Sequence, residues 1–253
     1  MTSNSATKAP STVTRRLLFM ALTLAAPAIL LMAALVAMQY TEGQRRFATQ
    51  LVTTTRALSL ATDRQIGQGQ SVLQGLAVSS ALAQGDIETF AKQAREAVEG
   101  RDGWVVLMSQ DRQWINTRIP PGEPTPYAPL TDETWREMTT GKSNVSNLIP
   151  RPNNTPIIGV NMPVLVKGRL LVLGYMQKPD VYQALVTGQG LPATWTASIV
   201  DRNAALLARS RNQDEMIGRH ASPDMRAAMA RAQDGVVNTY TPSLPEFLLG
   251  IGG

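Results

Sequence analysis

The sequence predicts an α+β protein carried on an N-terminal transmembrane helix. Three observations point there: an uncharged apolar run from Leu17 to Gln39, a helical apolar period through residues 40–84, and short apolar strands separated by polar turns from Trp104 onward. A strand–turn–strand pattern that starts at Trp104 returns at Trp195, so the outer part reads as two related modules, the second incomplete. The expected division is a cytoplasmic tail over 1–16, a transmembrane helix over 17–39, a stalk or dimerisation helix over 40–84, a first module over 85–188 and a partial second module over 189–253.

The apolar run is 23 residues long. At helical rise it spans roughly 34 Å, enough for a hydrocarbon core of about 30 Å. Pro27 inside it is tolerable, because transmembrane helices re-satisfy the freed carbonyl. A cleaved signal peptide would be shorter and end on small residues, which Leu35-Val36-Ala37 does not match well. The flanking charges are almost balanced, with Lys8, Arg15 and Arg16 before the helix and Arg45, Arg46 and Arg56 after it. The short tail decides the orientation: tail inside, bulk outside, in a single-pass inner-membrane protein.

Composition narrows the chemistry. The 253 residues include no Cys and one His, which excludes disulfides, thiol nucleophiles, Cys-based metal sites and His pairs. The pI near 9.8 overstates the basic character. Lys8, Arg15 and Arg16 sit in the tail with no acid before Glu42, so the outer part is nearly neutral. No Lys/Arg cluster with interleaved aromatics occurs, which argues against nucleic acid as a partner. There is no Gly-x-Ser-x-Gly elbow beside His220, and Gly188-Gln189-Gly190 lacks the rest of a phosphate loop. No catalytic residue, metal site or cofactor is expected.

In the stalk, Phe47, Leu51, Leu58, Ile66, Leu73 and Leu76 recur at helical spacing. That stripe suits either a parallel homodimer seam or a helix packed along its own domain, and both can hold in different halves. Gly85-Asp86 then gives a stop and an N-cap for a helix with Phe90, Ala94 and Ala97 on its apolar face, ended by Gly100. Trp104–Met108 and Trp114–Thr117 form a hairpin about Asp111. The Pro-rich stretch 119–130 is an extended loop, followed by a short helix over 132–138. Strands are expected over Val145–Ile149, Ile157–Val166 and Leu170–Met176, the last two joined by a tight turn at Lys167-Gly168-Arg169. Asp180–Val186 reads as a helix, and Gly188, Gly190 and Pro192 as a hinge. A second hairpin turns at Asp201-Arg202-Asn203, followed by a helix over 224–232 and a strand over 236–240.

These residues resemble the extracytoplasmic double Cache (PAS-like) sensor region of bacterial membrane histidine kinases, most closely the HWE type. The resemblance is carried by Trp104, Asp111, Asn116-Thr117-Arg118, Pro121 and Gly122, by Leu82–Asp86 with Phe90, and by Val160-Asn161-Met162-Pro163-Val164 with Gly168. Val200-Asp201-Arg202 and Ile217-Gly218 are similar to the membrane-proximal module. Family members continue through a second membrane helix into a kinase; this chain ends at Gly253, which reads as a fragment or frameshifted product truncated before the kinase, the alternative being a stand-alone anchored sensor. The resemblance implies a two-component sensor that binds a small ligand in its first module and is not itself an enzyme here. An input domain of a chemoreceptor or cyclase-type receptor, or a non-catalytic membrane-anchored structural protein, are the alternatives.

Six residues are candidates for that ligand site. Arg118 leaves a strand before the Pro-rich loop, where its planar fork suits a carboxylate; the alternative is a solvated strand-end arginine. Asn116 and Asn161 lie in apolar strands, where their amides need partners, from a ligand or from local backbone. Tyr127 and Tyr175 are placed to close over a ligand or to serve as rim and core aromatics, and Trp114 to stack on one or to pack. Asn144-Val145-Ser146 and Asn153-Asn154-Thr155 match a glycosylation triplet but read as ordinary turn residues in a bacterial chain.

Overall fold

The computed structural model describes residues 12–127, 129–150, 155–192, 195–231, 239–241 and 244–246. It divides into two compact units, Met1–Gln50 and Leu51–Gly253. The first is helical: helix α1 runs Thr12–Ala77 and contains Pro27. Its segment Phe19–Tyr40 is long and apolar enough to cross a membrane, with a mean hydropathy of 2.4, and Phe19, Ile29, Leu31 and Val36 are exposed along it. It overlaps the apolar stretch 17–39.

In the second unit, the remainder of α1 turns Leu58, Leu73 and Leu76 into the core. This half of the stalk therefore packs along its own domain. The side chains of Phe47 and Leu51, the other half of the stripe, lie outside the described residues. The expected continuous helix to residue 84 breaks at Val78-Ser79. There the Ser79 side chain caps helix α2 (Ser80–Ala83) by accepting from the Leu82 amide. Helix α3 (Ile87–Val98) starts where Asp86 accepts from the Thr89 amide and buries Phe90 and Ala94.

Strands β1 (Gly103–Met108) and β2 (Gln113–Asn116), helix α4 (Asp132–Thr139), and strands β3 (Asn144–Val145), β4 (Ile158–Val166) and β5 (Arg169–Gln177) follow. The five strands form one antiparallel sheet in the order β2-β1-β5-β4-β3. The turn between β4 and β5 is two residues long. Lys167 (φ 50°) and Gly168 (φ 76°) both sit in the left-handed region that such hairpins need.

The expected strand over 145–149 is much shorter. The β3 ladder cannot extend past Asn144↔Asn161, because Pro163 two residues on has no amide to donate. At the other end the Ser146 amide still donates to the Gly159 carbonyl at 2.7 Å, but the Gly159 amide donates to the Ser146 side chain at 3.0 Å, and an isolated bridge joins Ile149 to Ile157.

One face of the sheet (Val105, Leu107, Val160, Leu171, Leu173, Tyr175) packs on Leu73, Leu76, Leu82, Phe90 and Ala94 of the helices. The other face (Trp104, Val106, Met108, Val172, Met176) is covered by Met138 of α4, Ile157 and the half-buried Leu130 and Trp135. Helix α5 (Asp180–Thr187) then buries Tyr182 and Val186 against Leu58, Ile158 and a second hairpin, β6 (Ser198–Val200) with β7 (Leu206–Arg209). Both hairpins carry a register shift, between Leu107 and Met108 in the first and between Ile199 and Val200 in the second.

Helix α6 (Gln213–Met216) has no clear sequence signal, and α7 (Pro223–Met229) is shorter than expected. Strands β8 (Thr239–Thr241) and β9 (Leu244–Glu246) pair with each other. The expected strand over 236–240 falls partly here, its first three residues lying outside the described ones.

Candidate functional site

The sheet register brings five positions into one row. Asn144 of β3 pairs with Asn161 of β4, Asn161 with Gly174 of β5, Gly174 with Val106 of β1, and Val106 with Asn116 of β2. Paired residues share a face, so all lie on the Trp104–Met176 side, away from α1, α2 and α3 and under α4. This row thus carries three carboxamides on a largely apolar wall.

Each carboxamide has a distinct job. Asn116 is internally satisfied: its Nδ2 donates to Gln113 Oε1 at 3.1 Å and its Oδ1 accepts from the Arg118 amide at 3.1 Å. Thr117 continues the ladder with its side chain, its Oγ1 accepting from the Val105 amide at 2.9 Å. Arg118 then emerges with its guanidinium 4.7 Å from the Trp104 ring centroid, a cation–π contact at the edge of the wall. The Asn-Thr-Arg pattern is therefore a device for turning the chain out of β2 and setting Arg118 over the face.

Asn161 is 0% exposed and half satisfied. Its Nδ2 donates to Asn144 Oδ1 at 3.2 Å, while its Oδ1 has no partner. A buried carbonyl without a donor costs about 1–3 kcal/mol, so an added donor here would be favourable. Beside it the wall is hollowed by glycine. Cβ atoms at Gly159 and Gly174 would lie 2.4 Å from the Met176 Sδ and 2.6 Å from its Cε, so the Met176 side chain lies in the notch they leave. Methionine is the core residue most able to re-pack, and its withdrawal would open this notch next to Asn161.

Asn144 is the residue the sequence reading passed over as a turn polar group. Its Nδ2 donates to the carbonyls of Glu137 (3.0 Å) and Met138 (3.1 Å) at the C-terminal end of α4, and its Oδ1 accepts from Asn161.

The other candidates stand apart. Tyr175 points to the helix face, buried, with its ring against Gly69 of α1 and its hydroxyl end against Gly103. Burial raises its phenol above the ordinary range. Trp114 donates from Nε1 to Ser109 Oγ at 3.0 Å and lies between the guanidiniums of Arg112 (3.6 Å) and Arg169 (5.2 Å). Ser109 in turn donates to Asp111 at 2.5 Å, which with the charge of Arg169 holds that carboxyl below its ordinary value. This is a packed β-turn cluster. Tyr127 is 82% exposed and borders an open cleft of about 460 Å³ with Asp111, Trp135 and Arg169. His220 is exposed, its Nδ1 3.0 Å from the Asn203 carbonyl.

Two larger hollows occur among the described residues. A shallow groove of about 780 Å³ lies between α1 and α3, and a cavity of about 670 Å³ lies where β3 meets α1, β6–β7 and α7. Neither holds a buried unpaired polar side chain. The cavity adjoins the sheet face through Asn144.

The layered arrangement of a long helix, a five-stranded antiparallel sheet and a second hairpin recurs in solved structures of extracellular ligand-binding domains. Among solved structures the chain is similar to a methyl-accepting chemotaxis protein X (TM-score 0.60, 9% identity, covering 80% of this chain and 89% of that one). It is also similar to the ligand-binding domain of the Campylobacter jejuni chemoreceptor Tlp3 in complex with L-valine (TM-score 0.56, 10% identity, 81% and 86%). A third is the extracellular domain assigned to a histidine kinase, mmHK1S-Z2 (TM-score 0.55, 10% identity, 79% and 87%). No protein-family model and no curated protein matches the chain. These neighbours are sensory domains of both receptor types, and at such identities they show the fold alone.

Proposed function

We propose that this chain is a membrane-anchored, extracytoplasmic small-ligand sensor whose site is the outer sheet face between Arg118, Asn161 and Met176. The observation that carries this is the buried, unpartnered Oδ1 of Asn161 beside a methionine-filled glycine notch. A ligand carrying an N–H donor for Asn161 and a carboxylate for Arg118 has the chemistry of a free amino acid. The valine and isoleucine bound by the Tlp3 domain support that class.

In this reading Phe19–Tyr40 anchors the chain with its N-terminus cytoplasmic, the outer part is divided into modules over 85–188 and 189–253, and the receptor is a homodimer through the first half of the stalk. Its output is a two-component histidine kinase of the HWE type, the group that the Asn116-Thr117-Arg118 pattern resembles. A chemoreceptor output is equally consistent with a fold that both receptor types share.

The test is thermal denaturation of the full chain in detergent micelles against the twenty proteinogenic amino acids. Saturable stabilisation by at least one supports the reading. Its absence across the set, together with indifference to Arg118→Ala, favours a structural membrane-anchored protein.

A further inference from the structure

The β6–β7 turn is tied to the edge of the sheet at two points. Asp201 Oδ2 accepts from the Leu148 amide at 2.9 Å, and Arg202 donates to the Val145 carbonyl. The turn itself is tightly determined. Asp201 Oδ1 accepts from the amides of Asn203 (2.9 Å) and Ala205 (2.8 Å), which supports Ala204 at φ 59°. Both anchor points lie within four residues of Asn144, Val145 on the two-residue strand β3 and Leu148 just beyond its end. On its inner edge this segment is tied to β4, by the Ser146 amide to the Gly159 carbonyl (2.7 Å) and by the two bonds between Ile149 and Ile157, so the β6–β7 turn supplies the grip on its outer edge.

Asn144 is gripped on three sides. Its amide group donates to the last carbonyls of α4, its backbone pairs with β4, and its Oδ1 accepts the one hydrogen bond that Asn161 Nδ2 makes. With Nδ2 so committed, the Asn161 carboxamide has one orientation, and its bare Oδ1 faces elsewhere.

We propose that Asn144 is the positioning residue of the sheet-face site and that the Asp201–Arg202 turn holds it in place, so that the β6–β7 hairpin and the orientation of Asn161 form one coupled unit. The functional half of this rests on the ligand site proposed above; the coupling itself does not. A ligand that pulls on Asn161 changes the hold of β3 on the hairpin, and by linkage a loosened hairpin changes Asn161 to the same extent. The route runs through the two anchor bonds in parallel, along the chain to Asn144, and through one hydrogen bond to Asn161, and needs no displacement of the core.

The test needs no ligand. The full chain is prepared in detergent micelles with ¹⁵N at asparagine, and the Asn161 carboxamide resonances are assigned by their loss in Asn161→Leu. They are expected to move in Asn144→Ala and also in Asp201→Asn, whose site lies on the other hairpin. They are expected to stay in place in Phe90→Leu, which destabilises the opposite face of the sheet. In parallel, hydrogen exchange of the segment 144–150 is expected to quicken about tenfold in Asp201→Asn, the effect of losing a hydrogen bond to a charged acceptor. Unmoved Asn161 resonances in Asp201→Asn, or faster exchange confined to residues 198–210, would overturn the proposal. Because no ligand enters, a chain that binds no amino acid leaves this result standing, and the two readings fail separately.

Discussion

Tyr182 gives the sharpest energetic test of how the second core is built. Its side chain is 1% exposed, and its hydroxyl donates to Gln177 Oε1 at 3.2 Å, deep between Leu58, Ile158 and the β6–β7 hairpin. Gln177 Nε2 on the same amide is already without a partner. Tyr182→Phe leaves both ends of that amide unpaired, at a cost of about 2 kcal/mol, or roughly 4–8 °C in Tm. Adding Gln177→Met removes the stranded amide and is expected to recover most of the loss, since two apolar partners can replace a buried polar pair at little cost.

The same burial pushes the Tyr182 phenol up to about 12, with the nearby Tyr175 adding to the effect. Against an unfolded value near 10, this contribution to stability is intact below pH 10 and is lost as pH rises toward 12. At pH 11 the loss is about 1.4 kcal/mol. Thermal melts of the full chain in micelles between pH 9 and 11 should therefore fall more steeply for wild type than for Tyr182→Phe. Equal slopes, or a Tyr182→Phe variant as stable as wild type at pH 7, would refute the reasoning.

Other outcomes follow from single contacts. Gly174→Ala places a Cβ within 2.9 Å of Val106 Cγ2 and 2.6 Å of Met176 Cε, and is expected to cost about 1–3 kcal/mol in chemical denaturation while filling the proposed notch. Asp86 is held below its ordinary value by hydrogen bonds with Thr89, so its contribution is present above pH 3.8 and lost as pH falls through the lower folded value. Asp86→Ala should lower Tm at pH 7 and flatten the acid limb of the stability curve. Gly168→Val puts a β-branched residue at φ 76° in the β4–β5 turn and should cost more than Gly168→Asn, which tolerates that region.

Much of this was legible because local chemistry and global fold agree. The cap at Asp86, the paired apolar strands and the left-handed turn at Lys167-Gly168 each have short-range signals, and each is where the sequence places it. The site was harder. In the proposed site, the strand-end place of Arg118 and the burial of Asn161 in an apolar run have sequence signals. Tyr175 was misgrouped with them for want of one step. A two-residue turn pairs Val166 with Arg169, which puts Tyr175 opposite Val160 and so on the other face from Asn161. Asn144 had no such route, because its strand is two residues long and its partners lie on α4 and β4. The notch had a weak signal, since glycines inside strands mark close approaches, but nothing local says that Met176 fills it.

The central claim is that Asn161 and Arg118 bind a ligand rather than serve the fold. Calorimetric titration of the most stabilising amino acid into the full chain in micelles, for wild type, Asn161→Leu and Arg118→Ala, tests this most directly. Asn161→Leu removes an unpaired buried carbonyl along with one hydrogen bond, so its stability should stay within about 1 kcal/mol of wild type. Its affinity should fall about tenfold or more, as should that of Arg118→Ala. Unchanged affinity in both variants, or a loss that tracks unfolding of Asn161→Leu, would contradict the account.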